Sequence, residues 1–430
     1  MKYKFTDRIK PFHIFAMIVI LGFAGYLFYA YRYGSVITDF FMMENTDLNF
    51  CDLWMHVYFV SDPSQLYNVG TPQAGCFPPL SYLMYYAIWM IIRRDGYAPA
   101  AFEEMDRIPY ADLIMVYYSI FVVFCLFIGI LLWHNDLFRT SVIVGVLLIS
   151  VPFVSGGMAV ANSTLLVMSW LLIALKLRDS NSSAVREAAL LIIAICAGFK
   201  IYPAVFGLLY LLERRYKEAI RLTVYGIFFF FVPFAFFGGT DCFIRWFQNV
   251  RYTMGLIGFG RVQSLKEMIY TVVTLCNGHL PDAVYSMIPI AFLAIMIVLA
   301  CLTRSRSRRL FFLCAIMTFF PTNAYRYTLC YMSIPLVVYA RYDDSEENKS
   351  VMDKAFEYAE MIVLGLVYAM PVIPGKILGF KLTYEIYTAT YAEIWIYIFA
   401  YLLLITVVCH EVCVLLKNRS KVSHAKTAWV

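Results

Sequence analysis

Charge is what this sequence has least of. Only 15% of its 430 residues are Asp, Glu, Lys or Arg, against about 25% in soluble domains. With 62% hydrophobic and 18% aromatic residues beside that deficit, the chain reads as resident in a bilayer. The short segments of alternating polarity that build a membrane β-barrel are missing too; the apolar runs are long and continuous, which leaves a helical bundle. No block of one charge is present: 35 Lys and Arg against 29 Asp and Glu give +6, scattered between apolar runs, and nucleic-acid binding is excluded on that ground. The eleven cysteines contain no CxxC pair and no His/Cys spacing suited to zinc. Most of them lie inside apolar runs as small hydrophobes. Cys51 and Cys76 fall in the first large loop, where a disulfide and two free thiols are equally compatible with the sequence. There is no P-loop, and Gly255-Leu-Ile-Gly258-Phe-Gly260 lacks the preceding strand and following helix of a nucleotide fingerprint, so it is expected to be a flexible loop. No carboxylate spacing demands a metal, and no cofactor is expected.

What is present is a series of spans. Lys2, Lys4, Arg8 and Lys10 precede an apolar stretch over 12–31 with no small-residue cleavage site after it, the pattern of a signal anchor with a cytoplasmic N-terminus. Further candidate runs lie near 77–92, 111–133, 139–152, 160–177, 187–199, 201–212, 222–238, 285–302, 310–322, 327–340, 356–372 and 390–416. Several are too short to cross without tilt or local thinning. Three basic connections mark the inner side by the Lys/Arg bias of cytoplasmic loops: Arg214, Arg215, Lys217 and Arg221; Arg304, Arg306, Arg308 and Arg309; and Lys417, Arg419 and Lys421. The segments 239–284, 323–326 and 373–389 then face outward. Thirteen runs cannot join two inner termini, so one stretch between 77 and 177 is expected to dip without crossing. The expectation is an all-α, polytopic bundle of about twelve spans, one integral-membrane domain over 1–430.

The first outer loop, about 32–76, carries Asp39, Glu44, Asp47, Asp52 and Asp62 against a single Arg32. It is too long for a plain connector and too rich in Phe, Tyr, Trp and Met for disorder, so it is expected to pack on the membrane surface with helices of its own. It ends at Cys76-Phe77-Pro78-Pro79, where a proline suits the first turn of a helix because its missing N–H has no intrahelical partner there. The second large outer loop is 239–284.

Here the residues carry a resemblance. The run Asp52-Leu-Trp-Met-His56-Val-Tyr58, then Leu66-Tyr67, then Phe77-Pro78-Pro79 resembles the first external loop of the polytopic enzymes of glycosyltransferase family 87. The family pattern is an acidic residue leading an aromatic-containing helix, a tyrosine some fifteen positions on, and an aromatic-Pro-Pro opening the second span. A second likeness is Gly198-Phe-Lys200-Ile-Tyr202-Pro203, followed by Glu213-Arg-Arg-Tyr-Lys217. Gln263-Ser-Leu265 and Asn323-Ala-Tyr325-Arg326-Tyr327 are weaker echoes. The resemblance runs from the N-terminus to about residue 341. Two departures are visible: Gly157–Asn162 lacks the Gly-Gln pair common in relatives, and Arg326 stands where a His is frequent.

The family includes mannosyltransferases that draw sugar from polyprenyl-phosphate-mannose. The resemblance therefore implies a GT-C-like fold and an inverting membrane glycosyltransferase with a polyprenyl-phosphate-sugar donor. Its acceptor would be a lipid-linked glycan, polymer or protein, its membrane a bacterial plasma membrane, and its site would face outward. Such a transfer needs a base for the acceptor hydroxyl and cations or hydrogen-bond donors for the departing phosphate. Asp52 is assigned the base role and Asp47 is its runner-up; a solvated charge or a helix cap is the structural alternative for each. Lys200, Arg326 and Arg261 are expected at the donor phosphate. Together with Arg245 and Arg251 they lie on the expected outer side against the usual charge bias, and an anionic head group gives a reason for that. Snorkelling or interfacial anchoring is the alternative. His56, one turn beyond Asp52, and Tyr58, Tyr202, Gln263 and Tyr325 are expected to meet the substrate, with interfacial packing as the alternative. A transporter or lipid flippase is the competing class. It would need ionisable residues near the midplane and two related halves, neither of which the sequence displays.

Overall fold

In the computed structural model, residues 10–33, 50–67, 75–93, 110–255, 264–321, 324–342, 350–370, 381–384 and 387–427 are described. They are almost entirely helical. The helices are α1 (Pro11–Tyr33), α2 (Cys51–Phe59), α3 (Pro79–Ile92), α4 (Ala111–His134), α5 (Leu137–Leu148), α6 (Thr164–Leu177), α7 (Ser183–Phe199), α8 (Gly207–Leu212), α9 (Tyr216–Phe231), α10 (Thr240–Gly255), α11 (Leu265–Leu275), α12 (Asp282–Leu302), α13 (Arg306–Phe319), α14 (Ser333–Tyr342), α15 (Val351–Tyr368) and α16 (Tyr391–Thr427). The strands found among the described residues are β1 (Lys381–Tyr384) and β2 (Tyr387–Thr390), an antiparallel hairpin with Lys381 opposite Thr390.

Among the described residues, five segments are long and apolar enough to cross a membrane: Pro11–Arg32, Ala111–His134, Tyr216–Phe237, Asp282–Leu302 and Ile396–Lys417. The other apolar runs form shorter pieces. At 1.5 Å per residue, the 14 residues of α3 or of α6 reach only about 21 Å of a hydrocarbon core near 30 Å. The run at 201–212 divides into a 3-10 turn, Tyr202–Phe206 with Pro203 in its first positions, and α8. The run at 327–340 divides likewise into the turn Arg326–Met332 and α14.

Local chemistry sets the ends. Pro79 occupies the first turn of α3, where its missing N–H costs nothing. Asp136, Ser264 and Ser305 cap their helices by accepting from the backbone N–H groups of Arg139, Glu267 and Arg308, and Ser350 with Asp353 forms a capping box. Helix α6 packs between α4 and α7, α7 packs on α9, and α15 packs on α1 and α16. The α1–α15 contact depends on small residues: a Cβ at Gly22 would stand 2.7 Å from that of Ala369, and one at Gly365 3.0 Å from that of Ile18. Close helix approach in lipid favours such positions.

Two apolar clusters result. The larger holds α1, α4–α9 and α12–α16 together. The smaller is aromatic, with Trp54, Tyr67, Tyr82, Tyr85, Trp89, Phe234, Phe237 and Trp246 at its centre. It seats α2, which buries Leu53, Trp54, His56 and Val57, a set with the spacing of one helix face. Asp52 stays at the edge of that face.

Candidate functional site

The site is assembled where α2 meets the segment that leads into α6. Phe50 takes a left-handed backbone, φ 57°, directly before α2. Its N–H donates to Ala159 O at 2.7 Å, and that of Asp52 donates to Val160 O at 3.0 Å. The accepting segment follows a π-helical turn, Val154–Met158, and contains Ala161 at φ 53°. An L-residue in that region costs about 1–2 kcal/mol, and π turns and such outliers collect at functional sites. Two strained backbones thus hold α2 against the entry to α6.

The next residue, Asn162, is 1% exposed and joins the two charged groups singled out in the sequence. Its Nδ2 donates to Asp52 Oδ2 at 2.6 Å, and its Oδ1 accepts from Lys200 Nζ at 3.1 Å. The same Oδ1 accepts from Thr164 N at 2.9 Å and Thr164 Oγ1 at 2.5 Å. Three donors converge on one atom, which fixes that atom as the oxygen and turns the amide N–H groups toward Asp52. Asp52 and Lys200 are not joined by a direct salt bridge. Asp52 Oδ1 meets the Cys51 thiol at 3.9 Å, a weak contact that leaves this oxygen open to a stronger donor. Burial pushes the Asp52 carboxyl above the ordinary carboxylate range, while the Asn162 hydrogen bond and then the Lys200 charge pull it back.

Lys200 terminates α7 in an extended conformation and is 6% exposed. Its ammonium stands 3.6 Å from the centroid of the Phe77 ring and 5.8 Å from that of Tyr327, a cation–π seat in place of bulk water. Phe77 packs in turn on His56, ring centroids 4.4 Å apart, and its carbonyl accepts from Tyr67 OH at 2.8 Å. His56 is 3% exposed. The ring lies against Phe59, Tyr82 and Tyr85, with Nδ1 at 3.3 Å from Tyr82 OH. Burial, then the Lys200 charge, lowers its pKa to about 3, so it is a neutral prop beneath Phe77.

Other expected site residues scatter more. Tyr58 lies half-buried on α2, Tyr202 is 37% exposed just after Lys200, and Tyr325 stacks on Tyr327 with centroids 5.7 Å apart. Arg326 opens the turn Arg326–Met332 and is half-buried. Asp47, Arg261 and Gln263 lie outside the described residues, as do Asp39 and Glu44. Asp62 caps the turn Pro63–Gln65, and Arg245 donates to Ser64 O at 2.6 Å, so both serve the loop's own architecture. Cys51 and Cys76 are free thiols. Among the described residues no group of three or more His, Cys, Asp or Glu is placed to hold a metal.

Asn162 is the residue of this cluster that sequence inspection passes over. Its only signals are the short sequon Asn162-Ser163-Thr164, which its burial puts out of reach of a glycan, and its place in a segment that departs from the family pattern.

No curated protein matches this chain. Residues 82–322 match the family model of Glycosyltransferase family 87. The matched stretch begins after α2 and takes in Asn162 and Lys200. Covering more than half of the 430 residues, it establishes that the chain belongs to glycosyltransferase family 87, a family of membrane glycosyltransferases.

Proposed function

We propose that this protein transfers a sugar, with mannose the family-weighted choice, from a polyprenyl-phosphate-linked donor to an acceptor hydroxyl at the outer face of a bacterial plasma membrane, inverting the anomeric centre. The observation that carries the proposal is the placement of a carboxylate and an ammonium on the two ends of one buried amide, Asn162. Asp52 takes the acceptor O–H proton as that oxygen attacks the anomeric carbon. The anomeric carbon–oxygen bond to phosphate breaks with its electron pair leaving on the polyprenyl phosphate. Lys200, assisted by Arg326 and Arg261, neutralises the charge that develops there. One carboxylate suffices for inversion in a single displacement. A carboxyl raised by burial is a stronger base than an ordinary carboxylate. Tyr58, Tyr202, Gln263, Tyr325 and the neutral His56 line or support the sugar and acceptor side, and Asp47 stands in reserve for the base.

In this proposal about twelve crossings, some by composite helices such as Tyr202–Leu212, put the Asp52 end outside. Both termini and the arginine-rich connections are then inside. The polyprenyl tail enters laterally between α2 and the outer helix ends, and the acceptor is a lipid-linked glycan, a polymer or a protein.

The test is transfer of labelled sugar from polyprenyl-phosphate donors by the purified protein, with Asp52→Asn compared at equal folded concentration. A loss of about 10²-fold or more is expected of a positioned base. Full activity in Asp52→Asn would move the role to Asp47 or end the single-base scheme. Lipid or sugar movement across a vesicle membrane without any transfer would mean that the chain is a transporter.

A further inference from the structure

We propose that Asn162 is a positioning residue that couples Asp52 to Lys200, holding the carboxylate ionised and aimed while the ammonium waits on the far end of the same amide. This deepens the assignment of Asp52 and rests on it.

Four observations converge. Asn162 is buried at 1% exposure, and its amide orientation is set by the two Thr164 donors, which are local and carry no charge. The two charged partners come from distant parts of the chain, 110 and 38 residues away. The backbone that presents the amide includes the left-handed Ala161, a strained conformation that a mere filler position does not require. Asp52 is itself tied to this segment through its N–H on Val160 O, so the backbone that presents the amide also holds the backbone that presents the carboxylate.

The consequence is a division of labour between the carboxylate oxygens. Oδ2 is occupied by the amide, which turns Oδ1 toward an incoming hydroxyl. Lys200 uses one of its three donors on Asn162 and turns another to the Phe77 ring, a weaker contact, which leaves at least one for a phosphate oxygen. When a phosphate draws the ammonium away, Asn162 Oδ1 keeps its Thr164 donors, so the hold on Asp52 survives donor binding. A direct Asp52–Lys200 ion pair would lack this property, because the phosphate would have to break it.

The test reads the protonation of Asp52 without requiring turnover. A carbodiimide modifies a carboxyl in its protonated form, so the extent of Asp52 labelling against pH, read by peptide mass spectrometry on the full-length protein, reports its midpoint. In the wild type that midpoint is expected above the ordinary carboxylate range. In Asn162→Leu it is expected to rise by about one pH unit or more, the size of a hydrogen bond to a charged group. Asn162→Asp, nearly isosteric, is expected to raise it further, since two carboxylates at hydrogen-bond distance share a proton. Lys200→Met is expected to raise it too, and the double variant Asn162→Leu/Lys200→Met by less than the sum of the single shifts.

An unshifted midpoint in folded Asn162→Leu overturns the proposal, as does strict additivity in the double variant. Should Asn162→Leu fail to fold, Asn162→Asp decides alone, and an unshifted midpoint there is equally fatal. The readout separates this inference from the reaction itself. A wild type inactive with every donor, yet shifted in Asn162→Leu, removes the transferase assignment and keeps the coupling. An active wild type with no shift does the reverse.

Discussion

The two ends of the bundle treat charge in opposite ways. Helix α6 runs from Asn162 and Thr164 at one end to Lys176 and Arg178 at the other, and α7 runs from Arg186 and Glu187 to Lys200. At the arginine-rich end, cations meet carboxylates directly. Arg178 pairs with Glu213, Arg215 with Glu218, Arg306 with Asp179, Arg186 with Glu218 at 3.1 Å, Arg221 with Glu187 at 2.7 Å and Arg308 with Glu411 at 3.0 Å. Trp133 lies between Lys176 and Arg306, and Tyr210 between Arg178 and Arg215. At the Asp52 end a carboxylate and an ammonium are brought close and kept from pairing by one amide. Charges that neutralise one another staple connections together; charges separated by a neutral bridge remain available to a ligand.

Breaking the second arrangement should cost activity, and breaking the first should cost stability. Beyond Asp52→Asn, the largest effect is expected from Lys200→Met. It should lower transfer by about 10²-fold or more with a raised donor KM, since a charge partner of the leaving phosphate is lost. Unchanged kinetics in the folded variant would put the phosphate elsewhere. At the opposite end, Arg308→Met leaves Glu411, 1% exposed, without its ion-pair partner. A loss of about 3 kcal/mol is expected, seen as a lower unfolding temperature in detergent, with transfer per folded molecule unchanged. A loss of activity without a loss of stability would erase the contrast between the ends.

His56 sharpens the comparison through pH. Its folded pKa of about 3 lies below the ordinary value near 6.5, so the unfolded chain binds a proton that the folded chain refuses. Its contribution is therefore present above about pH 6.5 and is lost as pH falls toward 3. His56→Phe should flatten the decline of unfolding temperature over that window, and an identical slope in both proteins would show that the ring is not held neutral. The smallest effect is expected at Ala161→Gly. Glycine relieves the left-handed strain but adds unfolded-state entropy, so a stabilisation of up to about 1 kcal/mol is expected by thermal unfolding. A marked destabilisation would mean that the methyl group matters more than the backbone.

The family is legible in the amino-acid sequence: of the segments that carry the resemblance, the one around Lys200 lies inside the matched residues 82–322, while the Asp52–Tyr58 run and Phe77-Pro78-Pro79 lie before them. The span count is less legible. Crossing depends on helix length, and the runs at 201–212 and 327–340 break into a 3-10 turn and a short helix, a subdivision that hydropathy averages over. Asn162 is illegible because a single asparagine in an apolar stretch has no periodicity, and its partners lie far away in the chain.

Composition, hydropathy and capping chemistry by themselves determined that this protein is a helical membrane protein and where many of its helices begin, since these follow from transfer free energy and from backbone groups a few residues apart. Only the tertiary structure decided that Asp52 and Lys200 meet through Asn162, that His56 is a buried prop, and that Arg178, Arg186, Arg215, Arg221, Arg306 and Arg308 at the opposite end are paired with carboxylates. Hydrogen bonds and ion pairs form only within about 3–4 Å, and no spacing in the sequence encodes distances between residues that only packing brings together.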